Sequence, residues 1–337
     1  MTDTSPVYSP RFELDVGGTT YQEVGGLIGE LVVETTVEGA DLCTFVFNHY
    51  YDPEHHEFHE MDWNAIEPGT DIEVEIGWGG SGSIEPVFVG KSQSVKTEFK
   101  PGRGPFVEVT AYGLMHDMMR GVVERSWSEE TVVNVADEVL NEYFGKVETS
   151  GPGIERNRIV QHGQNDYRFL RGLAEDYGFE FYAERDTAYF TPRDSIGSSS
   201  PVATLKYGDT MDAFSAELTE SNQVKEVEVR YWDMNAEKEV VGSAKNDSGE
   251  GKEVFRVNCD SKEEADAIAE SKLTKLSMSR ASGYGETDGI PEIVAGKIIR
   301  LEDVGDRLTS DYYVTRATHR MGSAGYRTSF EVTELPE

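Results

Sequence analysis

The chain has 337 residues, enough for two or three domains that each bury a core of their own. Its 31 basic residues stand against 63 acidic ones, a net charge of −32, which excludes stable binding to nucleic acid or to an anionic membrane through phosphate contacts. Because 37% of the residues are hydrophobic and 10% aromatic, in periodic runs, disorder is excluded as well.

Taken in order, the N-terminal MTDTSPVYSPRF has neither a basic n-region nor an apolar h-region, so no secretory leader is expected and synthesis is expected in the cytoplasm. No apolar run approaches the ~20 residues that span a bilayer. Residues 9 to about 112 are strand-rich. Phe12, Leu14 and Val16 alternate, Gly17-Gly18 turns the chain, and apolar runs follow at Leu27–Val37, Leu42–Phe47, Ile72–Trp78, Val87–Val89, Val95–Phe99 and Phe106–Ala111. Short strands with Gly-rich turns and no helical period predict a closed antiparallel barrel. Gly77–Ser83 reads as a loop between two of its strands.

From Gly113 the period changes. Val132, Val133, Ala136, Val139 and Leu140 recur at helical spacing, with Ser128 as the expected N-cap and Trp127 with Val132 as a hydrophobic staple. A second helix is predicted from Asp166, its expected N-cap, along Tyr167, Leu170, Leu173, Ala174 and Tyr177 to a left-handed Gly178. Two aromatic runs, Phe179–Ala183 and Thr187–Thr191, then make a hairpin under that helix. After the SIGSSSP linker at 195–201, strands return at Phe214–Leu218, Val224–Trp232, Glu237–Val241, Val254–Val257, Lys297–Leu301, Asp311–Arg320 and Gly325–Val332. One helix interrupts them, with the capping box Ser261/Glu264 and the face Ala265, Ile268, Ala269, Leu273 and Leu276. The fold class is mainly β with an α+β insert. Its expected domains are a first β-barrel at 1–118, a small α/β domain at 119–200, and a second β-barrel at 201–337 with the helix 261–280 inserted.

Few residues suggest chemistry. In the 49–63 stretch, HYYDPEHHEFHEMDW, His55 and His59 are four apart, with Glu54, Glu57 and Glu60 as possible oxygen ligands. The zinc-protease spacing is one residue short, because His56-Glu57 is followed by His59. A solvated loop is the plainer reading. Gly90-Lys91-Ser92 lacks the earlier glycine of a phosphate loop, since residue 85 is Glu, and no helix pattern follows it. No G-x-S-x-G elbow is present, and Cys43 and Cys259 sit among apolar residues as expected free thiols. Tyr231-Trp232 and Tyr312-Tyr313 each read as one buried and one exposed ring at strand spacing. No catalytic, cofactor or metal site is assigned.

The stretch Gln161–Pro192 resembles the hub proteins of contractile tails: the late-control D proteins of temperate phages and the hub half of VgrG in injection systems. In it, Gln and a polar cap with Asp precede Tyr, Phe-Leu, Leu-Ala-Glu-Asp, Tyr-Gly and an aromatic strand. The likeness extends to Phe88-Val89-Gly90, Val107–Met119, Ser126–Phe144 and the helix Ser261–Ser279. It is most specific over Ile290–Val332, with Pro291, Gly296-Lys297, Tyr312-Tyr313-Val314-Thr315, His319 and Gly325-Tyr326-Arg327-Thr328 in the family's order. There His319 is a structural residue near a strand end.

The resemblance implies a structural baseplate hub without enzymatic activity or cofactor, its two barrels tube-like. Three chains would form a homotrimeric ring that adapts a sixfold inner tube to a trimeric spike within a virion tail or injection-system baseplate. The implied partners are a second and third copy of the chain, a spike protein, an inner tube or tube-initiator protein and baseplate wedge proteins. VgrG proteins continue into an oligonucleotide-fold domain and a β-helical spike, so a separate spike polypeptide is expected here. The alternative is a tail-associated metal-dependent hydrolase using the 49–63 cluster. The surplus acid reads either as a surface suited to concentrated salt or as an acidic lumen that passes DNA or protein without adhesion, and the two are compatible. Screening shortens to about 3 Å at about 1 M salt, so the melting temperature is expected to rise substantially from dilute buffer to molar salt. A thermal scan that is flat over that range would overturn the salt-adapted reading.

Overall fold

Alternation of apolar and polar residues builds the first third of the chain. The computed structural model describes residues 9–22, 28–47, 51–52, 54–58, 66–79, 84–100, 103–153, 155–218, 224–233, 237–246, 250–278 and 281–335. β1 (Pro10–Val16) turns into β2 (Thr19–Tyr21), and β3 (Ile28–Thr36) pairs with β4 (Leu42–Phe47). The short β5 (Tyr51–Asp52) and β6 (Glu57–Phe58) form a hairpin of their own, and β7 (Asp71–Trp78), β8 (Ile84–Lys100) and β9 (Arg103–Gly113) follow. Every second side chain points inward, so Phe12, Leu14, Phe45, Phe47, Ile72 and Val74 meet in one core. β3 and β8 are three strands apart in the ladder order β3-β4-β9-β8, about 14 Å in a flat sheet. Their Cα atoms nevertheless approach within 8 Å, so the sheet is rolled around that core. The two strands expected at Val87–Val89 and Val95–Phe99 are one, because the β8–β9 ladder continues across bulges at Ser92/Ser94 and Glu98/Lys100.

The insert contains β10 (Val123–Thr131), α1 (Val132–Leu140), β11 (Lys146–Thr149), β12 (Glu155–Gln164), α2 (Asp166–Tyr177), β13 (Phe179–Glu184) and β14 (Thr187–Pro192). Neither helix is capped by the expected residue. Residues through Thr131 are still strand, paired with β12, so Ser128 cannot cap; the Thr131 hydroxyl accepts the Asn134 N–H at 3.1 Å instead. Trp127 stacks on Phe169, with centroids 5.5 Å apart and planes at 7°. In α2 the cap is Asn165, which accepts the Arg168 N–H at 2.9 Å. Asp166 is buried as the first helical residue, and its carboxylate accepts from the Tyr143 hydroxyl at 2.5 Å and the Gln161 amide at 2.7 Å, with the Arg125 guanidinium at 3.4 Å. A buried carboxylate needs such partners to offset its lost hydration. Gly178 ends α2 with φ 78°, the left-handed cap its position predicts.

The last part begins with β15 (Ala203–Lys206), β16 (Ala213–Leu218), β17 (Glu226–Asp233), β18 (Lys238–Lys245) and β19 (Lys252–Arg256). α3 (Lys262–Met278) follows, then β20 (Ala281–Asp288), β21 (Ile298–Glu302), β22 (Asp311–Gly322) and β23 (Gly325–Glu334). Ser261 caps α3 as expected, its Oγ accepting the Glu264 N–H at 3.1 Å, while the Glu264 carboxylate reaches one residue further back than a capping box requires and accepts the Asp260 N–H at 2.6 Å. The helix packs on β17 and β18, which with β19 form a sheet of their own. Ala265, Ile268 and Ala269 join Val227 and Val229 of β17 in the core built around α1 and α2. β20 was not legible as a strand, since SGYGET offers no apolar alternation. Its glycines are there for close approach: a Cβ on Gly285 would lie 2.3 Å from the Phe330 ring.

A 13-stranded sheet in the order β16-β20-β23-β22-β3-β4-β9-β8-β7-β1-β2, with β21 and β15 branching from β22, runs through both ends of the chain. The fold is mainly antiparallel β, with helices confined to the insert and its satellite sheet β18-β17-β19. Among the described residues no helix is long and apolar enough to cross a membrane. Leu170 is fully buried under α2, whereas Leu173 is only partly so. Leu170→Asp is therefore expected to cost at least ~3 kcal/mol of unfolding free energy through an unpaired buried charge. Denaturant unfolding with an unchanged midpoint would show that this face does not bear the core.

Candidate functional site

The feature that organises the molecule is β22, shared by two cores. On one side it pairs with β23 along its length. On the other, Asp311, Tyr312 and Tyr313 pair with β21, and Arg316–Gly322 pair with β3. The change of partner falls at Thr315, where a bulge adds a residue: Val314 faces Val332, and Arg316 faces Glu331. The Thr315 carbonyl accepts the Val37 N–H at 3.0 Å, which closes the corner just past the end of β3.

The bulge decides which side chains go where. Before it, Tyr312 and Val314 point into the core formed with Leu205, Ile299, Leu301 and Phe330. After it, Ala317 and Met321 point inward, Met321 into the first core. Arg316 and Arg320 stay outside. Arg320 lies directly opposite Arg327 in the β22–β23 register, a repulsive placement. It is resolved by leaning apart: Arg320 reaches Glu30 of β3 at 3.0 Å, and Arg327 reaches Asp288 of β20 at 2.8 Å and also pairs with Asp212. Arg316 sits 3.2 Å from Glu34 and 4.0 Å from Glu331. The outward face across the seam is thus a band of alternating charge.

His319 lies beneath this band, buried, with Nδ1 2.9 Å from the Tyr326 hydroxyl and 3.2 Å from Thr328 Oγ1. Burial lowers its pKa to about 4, partly offset by the Ile293 backbone. It is a neutral packing and hydrogen-bonding residue.

The insert clamps the seam. Tyr313 is buried like Tyr312, not exposed as strand alternation predicts, because Tyr182 and Ile196 of the insert region cover its outward face. Its hydroxyl reaches Glu180 at 3.4 Å, and Glu180 pairs with Arg193 at 3.2 Å, both buried. Gly296, at φ 87°, admits the Tyr182 ring, 2.3 Å from where a Cβ would stand. The tip of the β13–β14 hairpin touches both halves: Glu184 pairs with Lys297 at 2.7 Å, and Arg185 donates to the Pro86 carbonyl at 2.9 Å.

The residues singled out for chemistry do not converge. Asp52 accepts the Glu54 and His55 N–H groups and holds the exposed His55 ring at 2.7 Å, while the His56 ring faces the Tyr51 hydroxyl at 3.4 Å. These are contacts of a tight turn, with His56 at φ 57°. His49, His59 and Glu60 lie outside the described residues, and among those described no three His, Cys, Asp or Glu gather to hold a metal. Ser92 is spent on the fold, donating to the Glu67 carbonyl at 2.5 Å and accepting the Thr70 N–H at 3.0 Å. The neighbouring Lys91 borders a cavity of about 320 Å³ with Gln93, Tyr112, His116 and Arg120, in which Asp117 lies between Lys91 at 3.9 Å and Arg120 at 4.0 Å. Cys43 is buried and Cys259 half-buried, both free, and burial raises both thiols, Cys259 to about 12. Neither is a nucleophile at neutral pH.

A family model described as the Alg8 N-terminal domain matches residues 10–323, which takes in both cores, the seam and the insert. The chain belongs to the Alg8 N-terminal domain family. No curated protein matches it. Among solved structures, it is similar to a tail protein from Neisseria meningitidis, with a TM-score of 0.71 and 15% identity over 97% of each chain. It is similar also to the 43 kDa tail protein of prophage MuSo2 from Shewanella oneidensis, with a TM-score of 0.67 and 13% identity over 96% of this chain and 97% of that one. A type VI secretion component of E. coli, described as similar to the T4 tail proteins gp27 and gp5, gives a TM-score of 0.62 and 12% identity, covering 96% of this chain and 76% of that one. At these identities what is shared is the fold, and it is the fold of tail proteins.

The seam histidine gives a pH test. Its folded pKa of about 4 lies below the ordinary 6.5. As pH falls through 6.5 the unfolded chain takes up a proton that the folded chain refuses, so this site lowers stability progressively down to about 4. His319→Gln is expected to lose that part of the acid sensitivity, read as the difference between the two unfolding curves over pH 6.5 to 4. Parallel curves would show that the ring is not buried neutral.

Proposed function

We propose that this protein is a structural, non-enzymatic component of a phage-like tail or injection-system baseplate. In the finer reading it is the hub, in which three copies form a ring that adapts a sixfold tube to a trimeric spike. The observation that carries it is the shared strand: one chain presents two tube-like halves joined edge to edge through β22, so three chains present six. The halves are not identical, and closed cyclic symmetry is the arrangement in which every heterologous contact between them is satisfied. The fold shared with tail proteins supports the same reading. We propose the domain boundaries near residues 118 and 200, with residues 224–278 grouped with the insert on whose core they pack.

The proposed partners are further copies of the chain, a spike protein, an inner tube or tube-initiator protein and wedge proteins. Polar and acidic barrel residues would line the passage, where a net charge of −32 keeps anionic cargo from adhering. In molar salt the protein, alone or with spike and tube proteins, is expected at a mass of about 112 kDa per ring, three times 37.5 kDa, before the partners are added. Light scattering and electron microscopy read this directly. A chain that stays at 37.5 kDa with both partners present would overturn the hub reading.

A further inference from the structure

We infer that the outward face of the β17–β18–β19 sheet docks, head to tail, on the outward face of the β1–β7 ladder of a second copy of the chain. This rests on the ring reading and names the surfaces that would make it.

The first surface is unusual for so acidic a chain. Val227, Val229 and Tyr231 point from β17 into the core, so Glu226, Glu228, Arg230 and Trp232 point out. Trp232 is 59% exposed, and Val254, opposite Glu228 on the same face, is 47% exposed. The carboxylates of this face are already used: Arg230 reaches Glu228 at 2.8 Å and Glu239 at 3.4 Å, Lys245 reaches Glu226 at 3.5 Å, and Lys252 pairs with Glu226 and Glu228. Arg256 lies opposite Arg230 in the register, exposed, with no ion pair among the described residues. A surplus cation therefore stands beside an exposed tryptophan, the residue pair that contributes most when desolvated at a protein contact.

The second surface has the opposite excess. In the β1–β7 register Glu13 faces Glu75 and Asp15 faces Glu73, like charges directly across the strands. Arg11 and Gln22 reach Glu13, and the Gly18 N–H and Thr20 hydroxyl reach Asp15. Glu73, Glu75 and the adjacent Asp71 have no ion pair among the described residues. Covering this ladder with a cationic face relieves a repulsion that the single chain retains, and the two surfaces belong to different ends of the same chain. Contact between unlike patches of identical copies is the kind that closes into a ring.

The test is a charge swap, read by sedimentation velocity at about 0.15 M and about 1 M salt. Trp232→Ser and Arg256→Glu are each expected to weaken association at least tenfold, about the loss of one central contact. Glu75→Arg alone is expected to weaken it too, and Arg256→Glu with Glu75→Arg in one chain to restore it. All three positions are at the surface or strand face, and unchanged melting shows that the variants fold. Variants that associate like the wild type overturn these docking surfaces and leave the ring intact. Weakening by Arg256→Glu that Glu75→Arg does not restore overturns the β1–β7 face as the partner. A wild-type chain that never reaches three copies with spike and tube proteins overturns the ring itself, and the docking with it.

Discussion

Everything in this molecule hangs on one extra residue in one strand. Side chains of a β-strand alternate with period two, so a strand can serve a core on one face only while its phase is kept. β22 serves two cores. Tyr312 and Val314, at even positions, fill the second, while Ala317, His319 and Met321, at odd positions, face inward after the bulge. Without the residue added at Thr315, Arg316 and Arg320 would turn into the apolar interior and the inward residues into water. The same bulge frees the backbone to leave β21 and take β3 as its neighbour. Two half-tubes are joined by main-chain hydrogen bonds in this way, without a linker that could hinge.

The insert acts on that joint. Tyr313 is the side chain that the phase change leaves on the outer face, and the insert buries it together with the Glu180–Arg193 pair. A buried ion pair contributes little net stability once desolvation is counted, yet removing one partner leaves an uncompensated charge. Glu180 and Arg193 thereby define a single docking geometry. The hairpin tip fixes it from both sides, through Lys297 on one half and the Pro86 carbonyl on the other. The insert is a brace across the seam.

The acidic composition is distributed to the same end. Where carboxylates must lie close to the seam they are interleaved with arginines across β3, β22, β23 and β20, whereas on β1 and β7 Glu13 faces Glu75 and Asp15 faces Glu73. Buried titratable groups such as Asp166 and His319 are held by hydrogen bonds inside the fold.

Much of this was set by the sequence alone. Period-two runs such as Phe12-Leu14-Val16 and Leu42–Phe47 determine strands because alternation is a local property, and the Ser261 cap and Gly178 determine helix ends because caps are local hydrogen bonds. The mainly β class with an α+β insert, and the absence of any motif with the spacing of a catalytic or metal site, were legible for the same reason. Tertiary structure alone decided the rest. Ala281–Asp288 is a strand only because Phe330 and Phe214 lie on its glycines, and Tyr313 is buried only because the insert covers it. Ser128 and Asp166 look like caps, yet pairing with β12 holds the first in a strand, and Tyr143 and Gln161 draw the second inside. The helix at 262–278 lies on β17 and β18, with Ala265 seated closely against Gly242, and these carry it into the core of α1 and α2. Each of these depends on a neighbour more than ten residues away or on another layer of the fold, where spacing along the chain carries no information.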